Sequence, residues 1–93
     1  MLAHMAKVVF TANLQRHIAC PMRQATGATV GAVLRQVFAE NPKLRGYILD
    51  DQERLRQHVH IYINNDRIGD PIGLSDPISA DDELFVFQAL SGG

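Results

Sequence analysis

Thr29-Val30-Gly31-Ala32-Val33-Leu34-Arg35-Gln36-Val37-Phe38-Ala39-Glu40-Asn41-Pro42 is the stretch that decides the fold of this chain. Val30, Val33, Leu34, Val37 and Phe38 recur at spacings of three, four, seven and eight, which stacks them on one stripe of a helix. Arg35, Gln36 and Glu40 fall elsewhere. Thr29 is a good N-cap, because its hydroxyl can accept from a free backbone N–H of the first turn. Asn41-Pro42 ends the helix, since the residue before a proline avoids helical geometry. The valines are poor intrinsic helix formers. The helix therefore depends on burying its stripe against a sheet.

The strands lie on either side of it. Lys7-Val8-Val9-Phe10-Thr11-Ala12 is β-branched and aromatic and reads as a first strand with Val8 and Phe10 facing the core. Cys20 to Ala25 reads as a second, at an edge or strand start because Pro21 donates no backbone hydrogen bond. Thr26-Gly27-Ala28 turns into the helix. Leu44 to Leu49 fits either a helical turn or a strand, and Asp50-Asp51-Gln52-Glu53 is a solvated turn. Val59-His60-Ile61-Tyr62-Ile63-Asn64 is the strongest strand, with Val59, Ile61 and Ile63 inward and His60 and Tyr62 outward. Asn64-Asn65-Asp66 tolerates a tight turn. Ile68, Leu74 and Ile78 anchor an irregular crossing marked by Asp70-Pro71, Gly73 and Asp76-Pro77. After the acidic turn Ala80-Asp81-Asp82-Glu83, Leu84 to Ala89 forms the last strand, with Leu84 and Val86 inward and Phe85 and Phe87 outward. One helix cannot cover both faces of a sheet. The order therefore predicts an α+β domain, a mixed sheet with one main helix across one face.

Composition narrows the function. The 93 residues make one domain, which buries roughly 60–65% of its unfolded surface and has little core to spare for a catalytic cavity. Hydrophobic content is 46% and net charge −1, so nothing drives the chain toward nucleic acid. No apolar run approaches the ~20 residues that span a bilayer. The single Cys20 cannot form an internal disulfide, and Met1 to Met5 lacks the pattern of a signal peptide. Together these favour the cytoplasm. Residues 1–5 read as a leader or cloning remnant, residues 6–89 as the domain, and residues 90–93, Leu90-Ser91-Gly92-Gly93, as a flexible Gly-Gly tail.

Other chemistry-bearing residues have plain readings. His58 and His60 share a strand face without a Cys or acidic third ligand nearby, so they read as a solvated face and no metal site is expected. Cys20 has no context that lowers a thiol pKa and reads as a small apolar filler. Gly27 and Gly31 lack the Lys-Ser/Thr of a phosphate loop. Asp50-Asp51 and Asp81-Asp82 are turn charges.

Four stretches carry a resemblance. They are Lys7-Val8-Val9-Phe10, Thr29-Val30-Gly31-Ala32-Val33-Leu34, Val59 to Asp66, and Ala80 to Phe87 running on to Ser91-Gly92-Gly93. In this order, with Gly-Gly last, the chain resembles the β-grasp sulfur-carrier family. Its members include the small subunit of molybdopterin synthase, the thiamin-pathway sulfur carrier and a carrier of cysteine synthesis, with ubiquitin a distant relative. Two positions depart from the family. Gln88 stands where many members place proline, and Ser91 where alanine is common. Gln88 restores a backbone donor, which lets the last strand pair further along.

The resemblance implies a function without an active site of the chain's own. A ubiquitin-activating-like partner enzyme uses ATP to adenylate the Gly93 carboxylate. Sulfur then displaces AMP, and the Gly93 thiocarboxylate donates sulfur to an accepting enzyme in cofactor, cysteine or metabolite biosynthesis. No cofactor is expected on the chain itself. Gly92 lets the peg lie flat in a channel, and Leu90 and Ser91 link it to the body. The chain alone is expected to be a monomer that forms heteromers with partners. If the last two long strands pair as this fold implies, Tyr62, Phe85 and Phe87 form one aromatic docking patch. The competing possibility is that the segment from Leu44 to Leu55, or a second copy, covers that face. Two other functions stay open: a ubiquitin-like modifier joined through Gly93 to lysines, and a β-grasp binding subunit with an incidental Gly-Gly.

Overall fold

Four hydrogen bonds at the start of the main helix show how the chain closes on itself. The computed structural model describes residues 5–15 and 18–88. Its elements are β1 (Met5–Phe10), α1 (Ala12–Gln15), β2 (Arg23–Thr26), α2 (Val30–Glu40), α3 (Pro42–Ile48), β3 (Val59–Ile63), β4 (Asp66–Arg67) and β5 (Glu83–Gln88). The Thr29 side chain accepts from Ala32 N–H at 3.2 Å, and its carbonyl accepts from Val33 N–H at 3.0 Å. The next free donors go to the crossing: Val30 N–H donates to Asp76 O at 3.0 Å and Gly31 N–H to Leu74 O at 2.8 Å. The Val30, Gly31 and Ala32 N–H groups, which have no acceptor within the helix, are thus satisfied, and Val33 N–H begins the intrahelical ladder.

The sheet has the order β2-β1-β5-β3-β4. β1 runs parallel to β5, and β2, β3 and β4 pair antiparallel with their neighbours. The predicted α+β architecture, a mixed sheet with a main helix across one face, is the one adopted. The predicted stripe of α2, Val30, Val33, Leu34, Val37 and Phe38, is buried, as are Val8, Phe10, Val59, Ile61, Leu84 and Val86 from the sheet. Ile68, Leu74 and Ile78 of the crossing join this core. Cys20 is buried in it, and burial raises its thiol pKa. β2 is an edge strand, as Pro21 implied, though it begins only at Arg23. α2 covers that edge: Arg23 pairs with Glu40, and Gln36 Oε1 accepts from Thr26 N–H. Gly27 makes the approach possible, since a β-carbon there would stand 2.7 Å from Val33 N.

Several elements differ from the sequence reading. The undecided segment after Pro42 is helix: Pro42 both stops α2 and starts α3, because a missing N–H costs nothing in a first turn. Asn41 joins the two helices, its N–H donating to Val37 O and its amide to Ala19 O at 2.8 Å. α1 follows β1 directly and buries Leu14; four residues are too few for a helical period to be read. β1 begins at Met5, inside the five residues set aside, and pairs Met5 with Thr26.

The turn after β3 is fixed from two sides. Asn64 takes a left-handed φ of 55°, which asparagine tolerates. Its side chain accepts from Glu83 N–H at 3.0 Å and donates to Asp82 Oδ1 at 3.0 Å, so it ties the β3–β4 turn to the start of β5. Asp82 also accepts from Ser79 N–H at 2.7 Å. The Ser79 N–H first, then the Asn64 amide, holds its carboxyl below the usual carboxylate range. A lowered folded pKa gives stability that is present above the ordinary carboxylate value and is lost as pH falls through the lowered one. Replacing Asp82 by Asn should therefore flatten the acid limb of a plot of Tm against pH, with its largest effect at neutral pH and little below the carboxylate range. Replacing the fully buried Leu84 by Ala should lower stability by about 2–5 kcal/mol in denaturant titrations, a large part of what a domain this small has.

Candidate functional site

The outer face of the sheet is built from every second residue of its central strands. β5 presents Phe85 and Phe87, and β3 presents His60 and Tyr62. The register sets Tyr62 opposite Phe85 and His60 opposite Phe87. Parallel pairing adds Val9 of β1 beside Phe85. The Tyr62 and Phe87 rings meet diagonally, with centroids 5.3 Å apart and planes tilted by 50°, a geometry aromatic pairs favour. Phe87 is 37% exposed, and Tyr62 and Phe85 are half-buried. The three aromatic residues singled out in the sequence are therefore brought together. The segment expected as a competing cover does not lie there: Leu44 and Ile48 of α3 and Leu49 enter the core on the helix side.

Two neighbours of the patch were not read as part of it. Arg67 of β4 donates to His60 Nδ1 at 2.8 Å, and a guanidinium only donates, so that ring nitrogen accepts. The contact follows from the two-residue turn Asn64-Asn65, which pairs Ile63 with Asp66 and Tyr62 with Arg67. That register was within reach of the sequence, since a short Asn-rich turn fixes it. His60 thus caps one end of the aromatic row while Lys7 and Glu83, 3.6 Å apart, close the other. The pairing of β3 with β5 runs through Gln88 opposite Val59, so the donor restored at that position goes with a strand that reaches it.

Leu90, Ser91, Gly92 and Gly93 lie outside the described residues, five positions or fewer beyond the end of β5. β5 carries Phe85 and Phe87 immediately before that segment. Among the described residues, no three His, Cys, Asp or Glu side chains are grouped to hold a metal ion, and no helix is long and apolar enough to cross a membrane.

Comparison with known proteins places this arrangement. Residues 12–93 match the ThiS family. Small archaeal modifier protein 1 of Haloferax volcanii is 32% identical over 66 residues, which are 71% of each chain. Its crystal structure superposes with a TM-score of 0.81 at 24% identity, covering 96% of this chain and 99% of that one. The BexX/CysO complex of Amycolatopsis orientalis contains a chain that superposes at 0.79 with 22% identity, covering 95% and 99%. These neighbours share the β-grasp, ubiquitin-like fold. The chain belongs to the ThiS family of small β-grasp sulfur carriers and modifiers.

Proposed function

We propose that this chain is a sulfur carrier whose working atom is the carboxyl carbon of Gly93. In the activation step, a Gly93 carboxylate oxygen attacks the α-phosphorus of ATP on a ubiquitin-activating-like partner. Pyrophosphate leaves, and an acyl-adenylate remains. A sulfide-level sulfur then attacks the carbonyl carbon and expels AMP, which leaves a thiocarboxylate. The thiocarboxylate sulfur attacks an electrophilic acceptor bound by a second enzyme and displaces its leaving group; water then attacks the acyl carbon, the carbon–sulfur bond breaks, and Gly93 returns as a carboxylate. Every step draws its catalytic groups from a partner; this chain supplies the acyl group, the Gly92 hinge beside it and the Leu90-Ser91 link. No cofactor is needed on the chain.

The observation that carries this reading is the family match through residue 93, with Gly92-Gly93 only a few positions beyond β5. A neighbour solved as a two-protein complex supports a life spent in heteromers. Tyr62, Phe85 and Phe87 would dock the activating enzyme, because they form a partly exposed aromatic row on β3 and on β5, the strand that leads to the tail. The name of the 32% identical relative, a modifier protein, favours a second reading, in which the activated Gly93 is joined to lysine amines on other proteins. A bare binding subunit is the third.

Mass spectrometry of the chain after incubation with its activating enzyme, ATP and sulfide separates these readings. A carrier gains the mass difference between sulfur and oxygen at Gly93, whereas a modifier appears as adducts on other proteins in which the Gly93 carboxyl is amide-bonded to a lysine. A chain shortened by Gly92 and Gly93 should lose all activity; full activity would leave only the binding subunit. Phe87→Asp should change stability by no more than about 1 kcal/mol, as exposed substitutions do, and still abolish activation. Equal loss of folding and activation would show that Phe87 serves the core and not a partner.

A further inference from the structure

The helix side of the molecule carries a groove that the carrier chemistry does not use. It lies between α2, α3 and residues 72–75 and encloses about 640 Å³, within the range of small-ligand and side-chain pockets. Leu34, Phe38, Leu49 and Leu74, all nearly buried, form its floor. Ile72 stands at one lip with 67% of its surface exposed, the most exposed large apolar side chain described. Arg35 stands at another.

Arg35 is unusual among the described arginines. Arg23, Arg45 and Arg54 pair with Glu40, Glu53 and Asp50. Arg56 donates to Gly46 O, and Arg67 to His60. Arg35 has no partner among the described residues. Glu53, which also lines the groove, already faces Arg45 at 3.5 Å. The groove therefore carries one uncompensated positive charge beside an apolar floor.

Its walls are set before anything binds. Gly31 lets residues 72–75 approach α2, since a β-carbon there would stand 3.3 Å from Leu74 O. Asp70 Oδ1 accepts from Gly73 N–H at 2.8 Å, and Asp70 Oδ2 from Ser75 Oγ at 2.6 Å. A β-carbon on Gly73 would fall 2.7 Å from the same carboxylate. A loop held this way loses little freedom when it is covered.

We infer that this groove is a second docking surface, taking a segment of a partner protein in which large apolar side chains lie within a few residues of a carboxylate. Apolar side chains cover the floor and Ile72, and the carboxylate pairs with Arg35. In a second copy of this chain, the carboxylates nearest Phe87 and Ile72 are already engaged: Glu83 faces Lys7, and Asp70 accepts from the Ile72 and Gly73 N–H groups and from Ser75. The groove and the aromatic row lie on opposite faces of the sheet, so both can be occupied at once. This inference does not rest on the fate of Gly93.

Selection from a random twelve-residue peptide library displayed on phage, with the full chain immobilised, tests it. Enriched sequences should share large apolar residues with Asp or Glu within four positions. Synthetic copies of the best sequences should bind Arg35→Glu about tenfold more weakly, as expected for reversed charge at an interface, and Arg35→Gln to an intermediate degree. Ile72→Asp should also weaken them, and Phe87→Asp should leave them unchanged. Tm values near wild type for these exposed variants confirm that binding, not folding, is read. The inference is overturned by no enrichment, by peptides without acidic residues, by indifference to Arg35→Glu, or by loss with Phe87→Asp. Concentration-dependent dimerisation that Ile72→Asp abolishes would also overturn it, by giving the groove to a second copy.

Discussion

β5 is hydrogen-bonded along both edges, to β1 in parallel and to β3 antiparallel, and the remaining structure follows from that double pairing. A strand in the middle of a sheet has no free edge. Its residues differ only by the face they meet. Leu84 and Val86 go under α2 and are fully buried; burying side chains of this size is worth about 1.5–3 kcal/mol each. Phe85 and Phe87 go to the other face, away from α2 and α3. The same six residues therefore hold the core together and display the aromatic row.

The one-sided cover is a consequence of chain length and order. α2 and α3 both pack on the inner face with the residue 68–78 crossing, and that crossing also takes two of the N-terminal donors of α2. An irregular stretch thus acts as a structural element: it caps the main helix, closes the core with Ile68, Leu74 and Ile78, and walls a groove. The inner and outer faces have become different surfaces. One is flat, aromatic and bordered by His60 and Arg67; the other is concave, apolar and bordered by Arg35. Under the proposed function, surfaces on opposite faces would let two proteins engage without competing.

Much of this was legible in the sequence because it depends on local periodicity. The five stripe residues of α2, the Thr29 cap and the alternation in β3 and β5 follow from local sequence pattern, whereas the grouping of Tyr62 with Phe85 and Phe87 also took the strand pairing that the family resemblance implies. What was not legible depends on contacts between distant segments. α1 is too short for a period, and the start of α3 was masked by the reading of Pro42 as a stop alone. The Arg67–His60 contact is the exception, since the register of the short Asn64-Asn65 hairpin put it within reach of the sequence. The groove required three segments that no pattern joins, and Arg35 looked like any other residue on a solvated helix face until its lack of a partner was visible. The residues from Leu90 to Gly93 were read from their identity and from family likeness, not from geometry.

The middle strand of the sheet is also the last strand to be synthesised. Without β5, the remaining strand pairs are two separate ribbons, β2 with β1 and β3 with β4, which are not neighbours in the finished sheet. Their union waits on a segment more than seventy residues from the first strand, a long-range closure of the kind that folds slowly. Seating β5 completes the sheet by joining the two ribbons, which no other described strand does.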